Sequence, residues 1–358
     1  MRVPMNLENS EWRTISVIVI TMNRPVILEK ECLASLATQD LPQLVELIVC
    51  DASDDRRSEE AVERWVRVHP SWACTYAHAT QRGLCSQRNQ GVRLSHGRLL
   101  LFLDDDAELM PHALEELWKV YLESGEAYAG YSLQLLAEGD TCLGGRIRNA
   151  AWLLGSSFWC RQTLSNKRRL LQNGFNAGGR PITPAAALEL SHQAAAIEDI
   201  DWMNGSCMAM KREVFFELGL WFDERLQRFG GYAVGEDVAL STAIRATAHR
   251  RLAGCRRSWA IHHRAPGPRA SLRSYAAAAV YNRYMIWRSM AGRQTVRRWL
   301  CWMWAQTAQM IVAMLSCLRH GDVAPIAGTV DGWRAVCQLH DGRGATGQQG
   351  RCPQGGAR

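Results

Sequence analysis

Three consecutive acids, Asp104-Asp105-Asp106, end the apolar run Leu99-Leu100-Leu101-Phe102-Leu103. Carboxylates this close repel one another unless positive charge sits among them. Hard divalent cations take oxygen ligands, and Mg2+ is usually held by one or two carboxylates together with substrate phosphates. The triplet therefore reads as a metal-assisted phosphate-ester site. Asp51 closes a second apolar run, Leu44 to Cys50. A carboxylate there can accept hydrogen bonds from a ribose hydroxyl or a base imide, or can simply cap a turn. Downstream, Glu236-Asp237 opens a helix whose apolar face is Val238, Leu240 and Ile244. Acids in a first turn complement the helix dipole, and a carboxylate placed at an acceptor hydroxyl can act as a general base.

The elements that must position these acids follow from periodicity. Ile15 to Thr21, Leu44 to Cys50, Cys74 to Ala79 and Leu99 to Leu103 read as strands, the last too short for a typical helix. Between them, Pro25 opens a helix carrying Leu28, Cys32, Leu33 and Leu36 at helical spacing, and Ser58 to Val68, Ser86 to Leu94 and Pro111 to Glu123 also read as helices. Strands alternating with helices predict an α/β fold with a mostly parallel sheet flanked on both faces. In such sheets ligands bind beyond the carboxyl ends of the strands, which is where Asp51 and the triplet stand. From Leu136 to Ile200 the pattern loosens into expected long loops over the site. Lys211 to Leu218, Asp237 to Ala246, Ser271 to Met290 and Thr295 to Leu318 are further helical stretches. The Gly/Gln/Arg-rich stretch from 342 to 358 reads as a disordered tail.

Of the 358 residues 47% are apolar, enough for a sizeable core. Met1 to Arg13 has no apolar h-region, so no signal peptide is expected. The twelve cysteines form no C-x-x-C pair and no zinc-spaced cluster, and read as reduced core residues of a cytosolic protein. The net charge of +7 hides an asymmetry. From Val238 to Gly321 there are 14 Arg and no Asp, Glu or Lys, leaving 28 basic and 35 acidic residues elsewhere. A basic rear can meet nucleic acid, anionic lipid or phosphate-rich substrates.

The motifs together resemble the inverting glycosyltransferases of the large bacterial family 2, of GT-A fold, including rhamnosyltransferase-like and exopolysaccharide-type enzymes. Seven carry the resemblance, in the family's order and over roughly residues 14 to 265: Ser16 to Arg24, Leu47 to Asp55, Gly83-Leu84 with Arg88-Asn89-Gln90-Gly91, the acid triplet, Trp202 to Ser206, Phe222 to Arg225, and Gly235-Glu236-Asp237. The resemblance implies a nucleotide-sugar donor (a UDP-, dTDP- or GDP-sugar), a saccharide or lipid-linked acceptor, and hexosyl or deoxyhexosyl transfer. Thr21, Asn23, Arg24 and Asp51 would hold the nucleotide base and ribose, with Arg88 and Asn89 near base and diphosphate. Asp104 and Asp106 match the outer acids of the D-x-D motif. Asp106 would ligate Mg2+ or Mn2+, with Asp104 near the ribose or the metal. Asp105 groups with the donor-binding residues, but as the middle residue it is expected to point off the site. Asp237 matches the base and Glu236 flanks it. Trp202, Asn204, Gly205 and Ser206 would lie between donor sugar and acceptor. In similar enzymes a histidine near 262 can complete the metal shell. Adjacent strand residues face opposite ways, so at most one of His262 and His263 can serve, and His262 is favoured. The run Gln227 to Val234 is longer than the family's usual approach to the acid pair.

The expected organisation is a GT-A domain over 1–265, a basic C-terminal helical extension over 266–341, and the tail. Trp299 to Leu318 carries no charge and has the length of a membrane span, but Gln306, Thr307 and Gln309 interrupt it. Trp299, Trp302 and Trp304 crowd one end like interfacial anchors. Docking on an anionic membrane surface is the favoured expectation, with the enzyme cytoplasmic and peripheral at the inner face of the cell membrane. Nucleic-acid binding is disfavoured by the acidic front and the lack of any nucleic-acid-reading motif. A dehalogenase-like phosphatase would carry Thr or Val where Glu108 stands, and its motif would follow the first strand.

Overall fold

The computed structural model describes residues 14–40, 45–137, 197–247, 250–263, 271–290 and 296–340. Strand β1 (Ile15–Thr21) is buried along its whole length. Val17 and Val19 enter a core on one side of the sheet, Ile18 and Ile20 a core on the other. The period-2 alternation of a strand between two helical layers produces this division. Helices α1 (Pro25–Ile27) and α2 (Ala34–Ala37) are joined by a π-helical turn, Leu28–Leu33. The expected helical segment is thus present, but a period near 3.6 gives no sign of the wider turn. Then come β2 (Val45–Asp51), α3 (Arg57–Val68), β3 (Ala73–His78), α4 (Leu84–Leu94), β4 (Leu99–Asp104) and β5 (Ala107–Leu109). These are followed by α5 (Ala113–Ser124), β6 (Tyr128–Ala137), β7 (Ile197–Ile200), β8 (Cys207–Lys211), α6 (Glu213–Phe216), α7 (Glu236–Thr247) and β9 (Arg251–His262).

Among the described residues the sheet has the order β3-β2-β1-β4-β8-β6-β9-β5, with β7 beside β9. The first four strands are mutually parallel. From β8 onward the sheet is mixed: β8 runs antiparallel to β4 and β6, and β5 and β7 antiparallel to β9, while β6 and β9 are parallel. Chain order reverses at β1, which has β2 on one side and β4 on the other, so the crevice between β1 and β4 is a topological switch point. Register sets what stands there: Thr21 pairs with Asp51, and Ile20 with Asp104. Pairing of Ala107 with His262 brings the end of β9 back beside the acid triplet.

Three helices close the described chain where two are expected: α8 (Leu272–Met290), α9 (Val296–His320) and α10 (Ala324–His340). Tyr284, Trp287, Trp302 and Trp333 form their aromatic core. α10 approaches α8 closely because it carries glycine. A Cβ on Gly328 would stand 2.1 Å from the Arg273 carbonyl oxygen, and one on Gly332 2.7 Å from that of Ala277. α8 in turn grips the long approach to Glu236: the Asn282 side-chain amide donates to the carbonyls of Leu226 (2.8 Å) and Val234 (3.0 Å). Among the described residues no helix is long and apolar enough to cross a membrane. The loops expected within 138–196 and the tail expected over 342–358 lie outside the described residues.

Candidate active site

Asp104, Asp106 and His262 converge at the switch point, their ligand atoms all within 4.8 Å of one another. His262 Nε2 is 3.2 Å from Asp106 Oδ1, and its Nδ1 is 3.4 Å from Ser206 Oγ. His263 faces away, with Nε2 on Glu108 (2.8 Å) and Glu31 (3.1 Å), so strand alternation separates the two histidines as expected. Burial acts to raise the Asp106 carboxyl, but hydrogen bonds from His262 and Arg24 hold it well below the usual carboxylate range. Two carboxylate oxygens and an imidazole nitrogen at the mouth of an α/β crevice are a donor set suited to a divalent cation.

Asp105 corrects one expectation. Its side chain does not turn off the site; it is buried and turned into the bend after β1. There it accepts from Thr21 Oγ1 (2.7 Å) and pairs with Arg24 Nη1 (2.8 Å). Burial pushes its carboxyl up to about 7, against the pull of Arg24 and Thr21. Arg24 reaches Asp106 with its other nitrogen, Nη2, at 2.8 Å, and so bridges the two buried acids. Asn23, at φ 57°, trades hydrogen bonds with Asp54, donating from Nδ2 (2.8 Å) and accepting from the Asp54 backbone N–H (2.9 Å). Asp51 is buried and accepts from the Tyr76 hydroxyl (2.6 Å) and from the Ser53 backbone N–H (2.8 Å) and hydroxyl (2.5 Å).

The expected donor contacts Arg88 and Asn89 lie inside the protein. Arg88 is 2% exposed and donates to Glu236 Oε1 (2.6 Å), Asp104 Oδ1 (3.3 Å) and the Gly205 carbonyl (2.8 Å). Asn89 holds both backbone groups of Phe222 and also donates to Glu224 Oε1 (2.9 Å). A guanidinium or amide opening a helix below a crevice has the same signature in sequence whether it meets a ligand or an internal acid.

Residues 204–206 tie the two acidic regions together. The Gly205 N–H donates to Asp237 Oδ2 (2.9 Å), while the Ser206 carbonyl accepts from the Asp104 N–H (3.1 Å). Asn204 Oδ1 accepts from the Ser206 N–H (3.0 Å) and fixes the bend, with Trp202 half-buried just before it. A side chain at Gly205 would displace Glu236: a Cβ there would stand 2.9 Å from Glu236 Oε1. Asp237 is half-buried at the start of α7, its Oδ1 accepting from the Val238 N–H (2.8 Å). Glu236 is buried against Arg88. Burial raises both carboxyls, and for Glu236 the charge of Asp237 adds to the effect. Sequence reasoning passed over Tyr76 and Ser53 as partners of Asp51; the only signal is that β3 pairs with β2 and sets a tyrosine two residues before the partner of Asp51.

The model of glycosyl transferase family 2 matches residues 16–146. The GalNAc(5)-diNAcBac-PP-undecaprenol beta-1,3-glucosyltransferase of Campylobacter jejuni is 32% identical over 115 residues, 32% of this chain and 36% of that protein. The O-antigen biosynthesis protein RfbC of Myxococcus xanthus is 26% identical over 269 residues, 72% of this chain and 18% of that protein. The chain thus spans little more than a third of one curated relative and under a fifth of the other. The structure of GalNAc-T7 with UDP, GalNAc and Mn2+ shares the fold at a TM-score of 0.50 and 16% identity, over 76% of this chain and 48% of that one. The chain has a GT-A fold, and its residues 16–146 match glycosyl transferase family 2.

Proposed function

We propose that the chain transfers a sugar, with inversion, from a nucleoside-diphosphate donor to a hydroxyl of a saccharide or lipid-linked acceptor, with Mg2+ or Mn2+ as cofactor. One observation carries the reading. The Asp104/Asp106/His262 cluster and Asp237 are tied to adjacent residues of one bend, Ser206 and Gly205, so a candidate cation site and a candidate base are held by one short segment. Asp106, Asp104 and His262 would hold the metal, which when bound offsets the charge of the departing diphosphate. Asp237 takes the proton of the acceptor hydroxyl as its oxygen bonds to the anomeric carbon. The bond from that carbon to the diphosphate breaks in the same displacement, and the nucleoside diphosphate leaves with the electron pair. Burial favours this role, because a carboxylate with a raised pKa is the stronger base. The Gly205 N–H keeps one Asp237 oxygen oriented, and Arg88 holds Glu236 beside it.

Thr21, Asn23, Arg24, Asp51 and Asp105 form the wall on which the nucleotide lies, and Trp202 to Ser206 the boundary between donor sugar and acceptor. Arg88 and Asn89 support that wall from behind. The curated relatives are named for an undecaprenol-linked glucosyl transfer and for O-antigen biosynthesis. Their names support a lipid-linked acceptor and cell-surface polysaccharide synthesis; exopolysaccharide synthesis and action at the inner face of the cell membrane belong to the same proposal. The test is release of nucleoside diphosphate from a panel of UDP-, dTDP- and GDP-sugars with Mn2+ or with chelator. One donor turned over only with metal is expected; turnover that survives chelation and the Asp106→Asn change would overturn the reading.

A further inference from the structure

The outer face of α9 is apolar where a surface helix is ordinarily polar. Val296, Trp299, Leu300, Ile311, Leu315 and Leu318 all stand roughly half exposed or more, Leu318 at 82%. Val296, Leu300, Thr307, Ile311 and Leu318 recur at intervals of whole helical turns, with Trp299 and Leu315 flanking them, and fall on one side of a helix about 37 Å long. The inner side already has its partners: Trp302 is buried in the aromatic core with Trp287 and Trp333, and Gln306 and Ala313 are buried on the same side. A helix apolar on both sides calls for a second apolar neighbour.

Charge identifies that neighbour. Four described arginines of the basic rear are matched by acids within the protein: Arg245 with Asp201, Arg251 with Asp199, Arg256 with Glu198, Arg273 with Asp331. Around α9, residues 286–321 carry Arg288, Arg293, Arg297, Arg298 and Arg319, and no acid. In a self-complementary pairing of two copies along this stripe, the arginine-bracketed ends would face each other, and like charges oppose it. An anionic lipid surface accepts both features, the apolar stripe into the acyl boundary and the arginines among the headgroups. We infer that α9 is the membrane-docking element of this chain, lying in the interface of an anionic bilayer with its outer stripe inserted and its inner side still packed on α8 and α10. The inference goes beyond the transferase reading and does not depend on it. It also gives α8 a consequence, since that helix joins α9 to the approach that presents Glu236.

Flotation of the full chain with vesicles tests it, using phosphatidylcholine alone and an equimolar mixture with phosphatidylglycerol. The expected result is flotation with the anionic vesicles only, reversed by salt. The Leu315→Asp/Leu318→Asp double variant should lose at least about tenfold in partitioning, since two inserted leucines are replaced by charge. Arg297→Gln/Arg298→Gln should lose about fivefold per arginine. Wild-type protein that ignores anionic vesicles, or a double variant that floats like wild type, overturns the inference. So does sedimentation showing a dimer that the double variant converts to monomer while vesicle binding is unchanged. Nucleoside diphosphate release without vesicles should be equal in wild type and double variant. A chain that floats but turns over no donor would sink the transferase reading and leave this one standing.

Discussion

Asp237 and Arg88 divide the work at the acid pair. Asp237 is the half-exposed member, and in the proposed role of base it must be ionised. Its carboxyl is raised above the ordinary value, so the protonated, inactive form persists to higher pH than for a free aspartate. The acid limb of kcat/KM is therefore expected above the usual carboxylate range, with activity falling as pH falls. Asp237→Asn should lower kcat by about 10^2 to 10^4-fold and abolish that limb. A variant that kept the limb would move the base assignment elsewhere. Arg88 is a different case, a buried cation between Glu236 and Asp104. Arg88→Met leaves two acids without their counter-ion and should destabilise the fold by about 3–5 kcal/mol, read from urea unfolding. Loss of activity without loss of stability would instead place the guanidinium on the donor. The contrast shows what residue types reveal. Acids crowded at a strand end cannot be left alone, so Asp104 and Asp106 stand out in sequence; Asp237 stands out as half of an acid pair opening a helix, and alternation selects His262 over His263. Arg24, Arg88 and Asn89 carry no mark telling a ligand contact from an internal one; only the register and the burial decide.

The central strands were the most legible elements because both their faces are buried. β1, β2 and β4 lie between two helical layers and read as continuous apolar runs. The mixed half did not stand out. β8, Cys207–Lys211, is short, and β9 carries exposed or half-buried arginines among its buried residues. α10 was hidden by the residues that make it fit, because Gly328 and Gly332 read as helix breakers yet let its backbone approach α8. Gly328→Ala puts a methyl group 2.1 Å from the Arg273 carbonyl oxygen and must push the helices apart. The expected cost is about 1–3 kcal/mol, localised as faster hydrogen exchange in α8 and α10 with the parallel strands unchanged. Uniform exchange across the chain would show that these helices do not pack as a separate layer.

At the scale of the whole molecule, the donor and the metal should stabilise the fold cooperatively, and Arg24 is the reason. In the ligand-free protein its guanidinium bridges Asp105 and Asp106, supplying the positive charge that the acid cluster requires. A cation arriving alone competes with that guanidinium for Asp106, which weakens its net effect. A diphosphate arriving with the cation offers Arg24 a charge-assisted partner of its own, so each ligand makes room for the other. Binding linkage converts this into stability: a ligand at 100 times its Kd adds about 2.7 kcal/mol, and thermodynamic coupling must be reciprocal. Mn2+ and the nucleoside diphosphate together are therefore expected to raise Tm by several degrees more than their separate shifts summed. Asp106→Asn should remove the excess. Arg24→Met should strengthen the response to Mn2+ alone while weakening that to the diphosphate, a reversal that simple loss of a binding group cannot produce. Strictly additive shifts in the wild-type protein, measured by thermal melting at fixed ligand concentrations, would show that Arg24 and the cation do not compete for the acid cluster.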